Sequence, residues 1–357
     1  MRSLHVMRAD FTLKREIADF GSLRIKRSFR GVGEFELHLP VKYAELIEQD
    51  DIIFPPEAPH KAMMVEGIRI AMDDMTVTGC TVKGIAKRRI CVPGASSEGT
   101  YGYDRIIASA ETVLKHYAIA NCVEPESAAR KISCLAIEPD EGRGRKDVPW
   151  SARFENLADV LENICIFADC GYAVTPDFTQ KKMMFRYDPG RDLVNGKNRV
   201  TFSVSFGNVS GATYTEDAKN HANAAYIGGA GQDENRAILG VGDAQDLARR
   251  EMWCEAGSIS DPQELEYEAE HKIAQKAMTL TISAEVIAAG AARYGEDWDL
   301  GDLVTVSTAG KQMHARITQV QETHETGRAI GLSVTFGEPQ QGIIDAVKAA
   351  ARKEGIR

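Results

Sequence analysis

Alternation of apolar and polar residues is clearest from Glu34 to Pro40, where Phe35, Leu37 and Leu39 share one face and Glu34, Glu36 and His38 the other. A period of two is that of a strand with one buried face. Leu23, Ile25 and Phe29 in SLRIKRSF continue the pattern, and Gly31-Val32-Gly33 between the runs predicts a hairpin turn. MTVTGCTVKG, starting at Met75, reads as a further strand. Short strands separated by turn signals over residues 2–83 predict a small antiparallel barrel or sandwich.

After about residue 92 the period lengthens. Ser109 is placed to cap a helix carrying Val113, Leu114, Tyr117 and Ala118. Asn156 caps a second, whose stripe is Leu157, Val160, Leu161, Ile164 and Ala168, with Gly171 as its expected stop. GYAVTPDF and KKMMFRYDPG then predict a hairpin.

From about residue 197 strands return in RVTFSVSF, NHANAAYIGGAG and NRAILGVGD. A helix is predicted over 261–278: Asp261 caps it, Pro262 takes its first position and Glu264 completes a capping box. Leu265, Ala269, Ile273 and Ala277 line one face. LGDLVTVST, KQMHARITQV and AIGLSVTFG read as strands, and IIDAVKAAARKEGIR reads as a short basic amphipathic helix that either docks on a neighbour or frays. The predicted fold class is mixed, mainly β with an α+β insertion. The expected boundaries are 1–92 (first β domain), 93–196 (α+β insertion), 197–338 (second β domain with one helix) and 339–357 (C-terminal helix). No β-α alternation of about 30 residues is present, which argues against a doubly wound parallel sheet.

Candidate chemistry fails its spacing tests. Gly228, Gly229 and Gly231 invite a phosphate loop, but Gln232-Asp233-Glu234 follows where Lys-Ser/Thr is needed, so a tight turn or bulge is the better reading. Asp297, Asp299 and Asp302 hint at calcium. Counted from Asp297, however, the sixth position is Asp302 and the twelfth Thr308, whereas a calcium loop needs Gly and Glu. A strand-entry turn around Gly301 is preferred. His324-Glu325-Thr326-Gly327 lacks the second His of a zinc-protease helix, and no G-x-S-x-G occurs. Arg249-Arg250-Glu251 reads as a solvated or interface charge cluster. No catalytic residue, cofactor or metal is nominated, and the chain is not expected to be an enzyme.

Composition narrows the class further. At 357 residues the chain is too long for one core, and 43% hydrophobic with 27% charged residues is ordinary for globular protein. A net charge of −9 disfavours general affinity for nucleic acid or anionic membrane, although an acidic wall would let a duplex pass without holding it. Aromatic content of 7% is thin for a glycan-cleaving cleft. The seven Cys show no C-x-x-C spacing and fit small buried hydrophobes in a protein made in a reducing cytosol. No signal peptide or run of roughly 20 apolar residues is found, so membrane insertion is not expected.

Six collinear segments resemble one family, the siphophage tail hub proteins, also called tail-associated (Tal-like) proteins and similar to phage baseplate hubs. They are RSFRGVGEFELHLP (27–40), CTVKGIAKRRI (80–90), KDVPWSARFENLADVLENI (146–164), NAAYIGGAGQDENRAILGVGDAQDLARREMWCEAG (223–257), DWDLGDLVTV (297–306) and LSVTFG (332–337). Its signature structural positions are Gly31, Gly33, Phe35, Gly228, Gly229, Gly231, Arg249, Arg250, Gly301 and Asp302. The resemblance implies two tube-like antiparallel β-barrel domains of the phage baseplate-hub type and a homotrimer. The ring would join a sixfold tail to a threefold tip at the distal end of the virion tail and let DNA pass. Implied partners are a distal tail protein hexamer, the tape-measure protein C-terminus and a tail spike or receptor-binding protein. Many such proteins carry long lytic or fibre extensions; only the helix from about Gln341 follows the hub here, so such activity is expected on another protein. The alternatives are a tail-associated cell-wall or polysaccharide hydrolase and the hub of a phage-tail-derived secretion apparatus.

Overall fold

A computed structural model describes residues 3–94, 102–195, 197–288, 292–308 and 310–337. The expected tail helix lies outside them. Seven strands come first: β1 (Leu4–Met7), β2 (Leu13–Ile17), β3 (Ser22–Ser28), β4 (Glu34–Pro40), β5 (Ile52–Phe54), β6 (Met63–Ile70) and β7 (Asp74–Thr81). They pair antiparallel in the order β3-β4-β7-β6-β5-β1-β2. Period two explains the burial: Leu23, Ile25, Phe35, Leu37, Leu39 and Val77 turn into one core with Leu4, Val6, Ile53 and Met63. The neighbours Met7, Ile52, Phe54, Met64 and Cys80 face the other way and are buried too.

What buries that second face is the next segment: β8 (Asp104–Ala108), α1 (Ala110–Ala118), β9 (Leu135–Ile137), β10 (Val148–Ala152), α2 (Leu157–Ala168), β11 (Gly171–Asp177) and β12 (Lys182–Asp188). Val113, Leu114 and Tyr117 of α1 and Val160, Leu161 and Ile164 of α2 share a core with those outward strand residues. Ser109 Oγ accepts from the Thr112 amide at 3.3 Å and Asn156 Oδ1 from the Ala158 amide at 3.0 Å, capping the helices as expected. The stop of α2 is a correction. Asp169, not Gly171, takes the left-handed conformation, at φ 47°. Gly171 instead opens β11, and a Cβ there would sit 2.4 Å from the Phe29 ring.

The rest comprises β13 (Thr201–Ser203), β14 (Val209–Asp217), β15 (Ala224–Gly228), β16 (Ile238–Val241), β17 (Glu251–Glu255), α3 (Pro262–Ala274), β18 (Thr279–Val286), β19 (Leu303–Thr308), β20 (Lys311–Glu325) and β21 (Gly331–Gly337). Helix α3 is shorter than 261–278. Its cap holds, with Asp261 Oδ1 accepting from Gln263 and Glu264 amides at 2.9 and 3.0 Å, but the Glu264 carboxylate pairs with Arg105 at 3.0 Å. The Lys276 carbonyl accepts from the Ala222 amide at 3.0 Å, so the backbone has left the helix before Ala277.

Strand β20 runs for 15 residues and changes partners. Its first half pairs with β19; its second lies between β21 and β3. The result is one mainly antiparallel sheet of 13 strands, whose main path runs from β14 to β2. Among the described residues this path is open, and no closed barrel is formed. Beyond β20 the core is built on Phe202, Trp298 and Phe336, with the Trp298 and Phe336 ring centroids 5.1 and 5.0 Å from that of Phe202. Between β14 and β18 the chain inserts a small sheet, β16-β15-β17, packed on α3.

Candidate functional site

The β3–β20 seam carries a buried charge cluster with its signs sorted by side. Arg27 on β3 and Lys61, just before β6, supply the cations; Glu322 on β20, Asp299 and Tyr294 supply the acceptors. Glu322 has no exposed surface. Lys61 Nζ donates to its carboxylate at 3.0 Å, Tyr294 Oη donates at 2.6 Å and His324 Nε2 lies 3.1 Å away. The Arg27 guanidinium donates to Asp299 and Tyr294, and its Nε lies 3.7 Å from Glu322. Burial alone would raise the Glu322 pKa. The His324 hydrogen bond and the Lys61 and Arg27 charges outweigh it and hold the group well below the usual carboxylate range. An arrangement this connected locks two strand groups in one register, because either half alone would leave a charge buried and unpaired.

A second junction joins all three segments. Asp169, at the end of α2, accepts from Arg30 at 2.7 Å and from Arg316 of β20 at 2.9 and 3.1 Å. Arg316 also donates to the Gly301 carbonyl at 2.7 Å. Gly301 has φ 92°, and a Cβ on it would lie 2.4 Å from the Phe29 ring, so only glycine fits. Asp302 is buried, with Arg191 Nε at 2.9 Å and Nη2 at 2.6 Å. Lys83 donates to the Ser28 and Phe29 carbonyls at 3.1 and 2.9 Å, and burial pushes its pKa down to about 8.

The positions singled out in the sequence therefore fall into separate places. Gly301 and Asp302 belong to the junction, and Gly31 lies beside it under the Glu162 carboxyl, which a Cβ would approach to 2.5 Å. Gly33 turns the β3–β4 hairpin, where a Cβ would meet the Lys26 carbonyl at 2.2 Å, and Phe35 is core. Gly228, Gly229 and Gly231 lie in the inserted sheet module. Arg236 donates to the Gly228 and Gly229 carbonyls at 2.9 and 3.1 Å, and Gly231 has φ 107°. Arg249 pairs with Glu251 at 2.6 Å and donates to the Gly242 carbonyl at 2.9 Å; Arg250 donates to the Ala218 carbonyl. They fasten loops of the module. The candidate calcium acids are occupied, Asp299 by Arg27, Asp302 by Arg191 and Asp297 by the Arg293 amide at 2.7 Å. Among the described residues no group of three or more His, Cys, Asp or Glu could hold a metal, and no helix is long and apolar enough to cross a membrane. The seam network and Lys83 were missed by sequence reasoning, although Arg27 lies in phase with Leu23 and Ile25 and Glu322 with Val320: a charge on the apolar phase of a strand was the available signal, and its partner lies too far along the chain to be read.

This mainly β architecture is similar to that of solved phage tail proteins. A prophage tail protein gp18 from Listeria monocytogenes EGD-e is similar at TM-score 0.58 and 10% identity, over 98% of each chain. The prophage MuSo2 43 kDa tail protein from Shewanella oneidensis follows at TM-score 0.56 and 12% identity, over 94% of this chain and 98% of that one. A tail protein from Neisseria meningitidis MC58 gives TM-score 0.53 and 12% identity, over 96% and 98%. No curated protein matches the sequence. The chain belongs to the Siphovirus ReqiPepy6 Gp37-like protein family, whose model matches residues 3–338.

Proposed function

We propose that this protein is a structural hub of a phage tail tip rather than an enzyme, and that it works as a homotrimeric ring. The observation that carries the reading is the sheet itself. Residues 1–92 and 197–338 each contribute a strand group, and β3–β20 pairing fuses the two into one path whose edges among the described residues are β2 and β14. A sheet with two unlike free edges associates head to tail, and such contacts close into a ring when the rotation permits. In this reading the two strand groups act as tube-like barrel domains completed by neighbours. Three chains then present six similar units to a distal tail protein hexamer and threefold symmetry to a spike or receptor-binding protein. The tape-measure C-terminus and passing DNA would meet the lumen.

Sedimentation of the purified chain, alone and with the distal tail protein, tests this. The expected particle is three times 39.1 kDa, with a ring in electron micrographs. A monomer in both conditions would overturn the ring, and clearing in a cell-wall zymogram would overturn the non-enzymatic role.

A further inference from the structure

The inserted module is a stack whose last layer is half-exposed among the described residues. Helix α3 is enclosed on both sides: His271 packs on Trp150 and Phe167, with ring centroids 4.2 and 4.6 Å apart, and Leu265 and Ala269 pack on the β16-β15-β17 sheet. Ala225, Ile227, Leu239, Met252 and Cys254 form the inner face of that sheet. Register puts Tyr226 opposite both Gly240 and Trp253, and Gly228 opposite Ile238 and Glu255, so Tyr226, Trp253 and Ile238 lie on the outer face around two flat glycines, with the Arg236 guanidinium over the Trp253 ring and paired with Glu255. These three are 44%, 49% and 59% exposed. Large apolar side chains grouped on one exposed face mark a docking surface.

Two further observations name the occupant. Gly337, the last described residue, pairs with Thr281 on β18, the strand that leaves α3, so the chain emerges at the root of this module. The sequence that follows, 341–357, spaces Ile343 or Ile344, Val347 and Ala350 or Ala351 for one helix face, and has four basic residues against two acidic. The module segment 224–257 has the opposite balance, six acidic against three basic. A 17-residue helix would be ~25 Å long, enough to cross three strands ~5 Å apart. We infer that segment 341–357 docks, in its own chain, across the Tyr226–Trp253–Ile238 face of the module.

Trp253 reports on this directly, because Trp150 is 9% exposed and Trp298 fully buried. Acrylamide quenching would be compared between the full chain and a chain ending at Gly337, which keeps β21 whole. Docking predicts roughly twofold weaker Trp253 quenching in the full chain, independent of protein concentration, and absent in a Trp253→Phe control. A full-chain variant with Lys348→Glu, Arg352→Glu and Lys353→Glu should quench like the shortened chain. Equal quenching of the full and shortened chains would overturn the inference. So would protection that grows with protein concentration, which would give the face to a second copy. The result does not depend on whether the protein forms a ring.

Discussion

Glu322→Gln is the most informative perturbation of the seam. The wild-type carboxylate is fully buried and balances Lys61 and Arg27, whose side chains are only 12% and 10% exposed. Substituting an amide keeps the shape and removes the charge, leaving two cations in a site from which water is excluded. Breaking a buried pair in this way costs about 3–5 kcal/mol. Asp299 still serves Arg27 and Tyr294 can still hydrogen-bond, so about 3 kcal/mol is expected for the single change. Lys61→Met removes the other partner. Because the double variant buries one fewer unpaired charge, its cost should fall short of the sum of the singles by about 1–2 kcal/mol. Urea denaturation followed by Trp298, whose ring centroid lies 4.9 Å from that of Tyr294, reads this region. The pH dependence has a definite sign. Glu322 is depressed in the fold, so its contribution is fully present above the unfolded value near ~4.3 and is lost as pH falls through the lower folded value. A Glu322→Gln cost below about 0.5 kcal/mol, or strict additivity in the cycle, would refute the clasp.

Gly301→Ala should lower the melting temperature through both its φ of 92° and the Phe29 ring, costing about 2–3 kcal/mol; Phe29→Leu should recover only the steric part. Lys83, pushed down to about 8, disfavours folding wherever the unfolded lysine stays charged. Stability measured from about pH 8 to 10 should therefore rise by up to ~1.4 kcal/mol per unit relative to Lys83→Met. His271 is pushed down to about 4 by burial, so wild-type stability should fall between about pH 6.5 and 4 by a similar slope, and His271→Phe should flatten it. A denaturation series across each range checks both.

Local order was legible because it is encoded by neighbours. The β3–β4 hairpin shows in a period of two and a glycine turn, and Ser109, Asn156 and Asp261 begin their helices because a short polar side chain there satisfies free amides. Even here some details escaped: Asp169 ends α2, and α3 stops at Ala274 because Lys276 bonds to a residue 54 positions earlier in the chain. What only the tertiary structure decided is which faces and edges meet. Ile52-Ile53-Phe54 serves two cores at once, a fact that no period reveals. Arg27 falls in phase with Leu23, Ile25 and Phe29, and Glu322 with Val320, so parity turns both charges inward, but only the pairing of β20 with β3 shows what balances them. Periodicity records the environment of one side of one strand. A buried charge is defined by its partner, and that partner is 295 residues away.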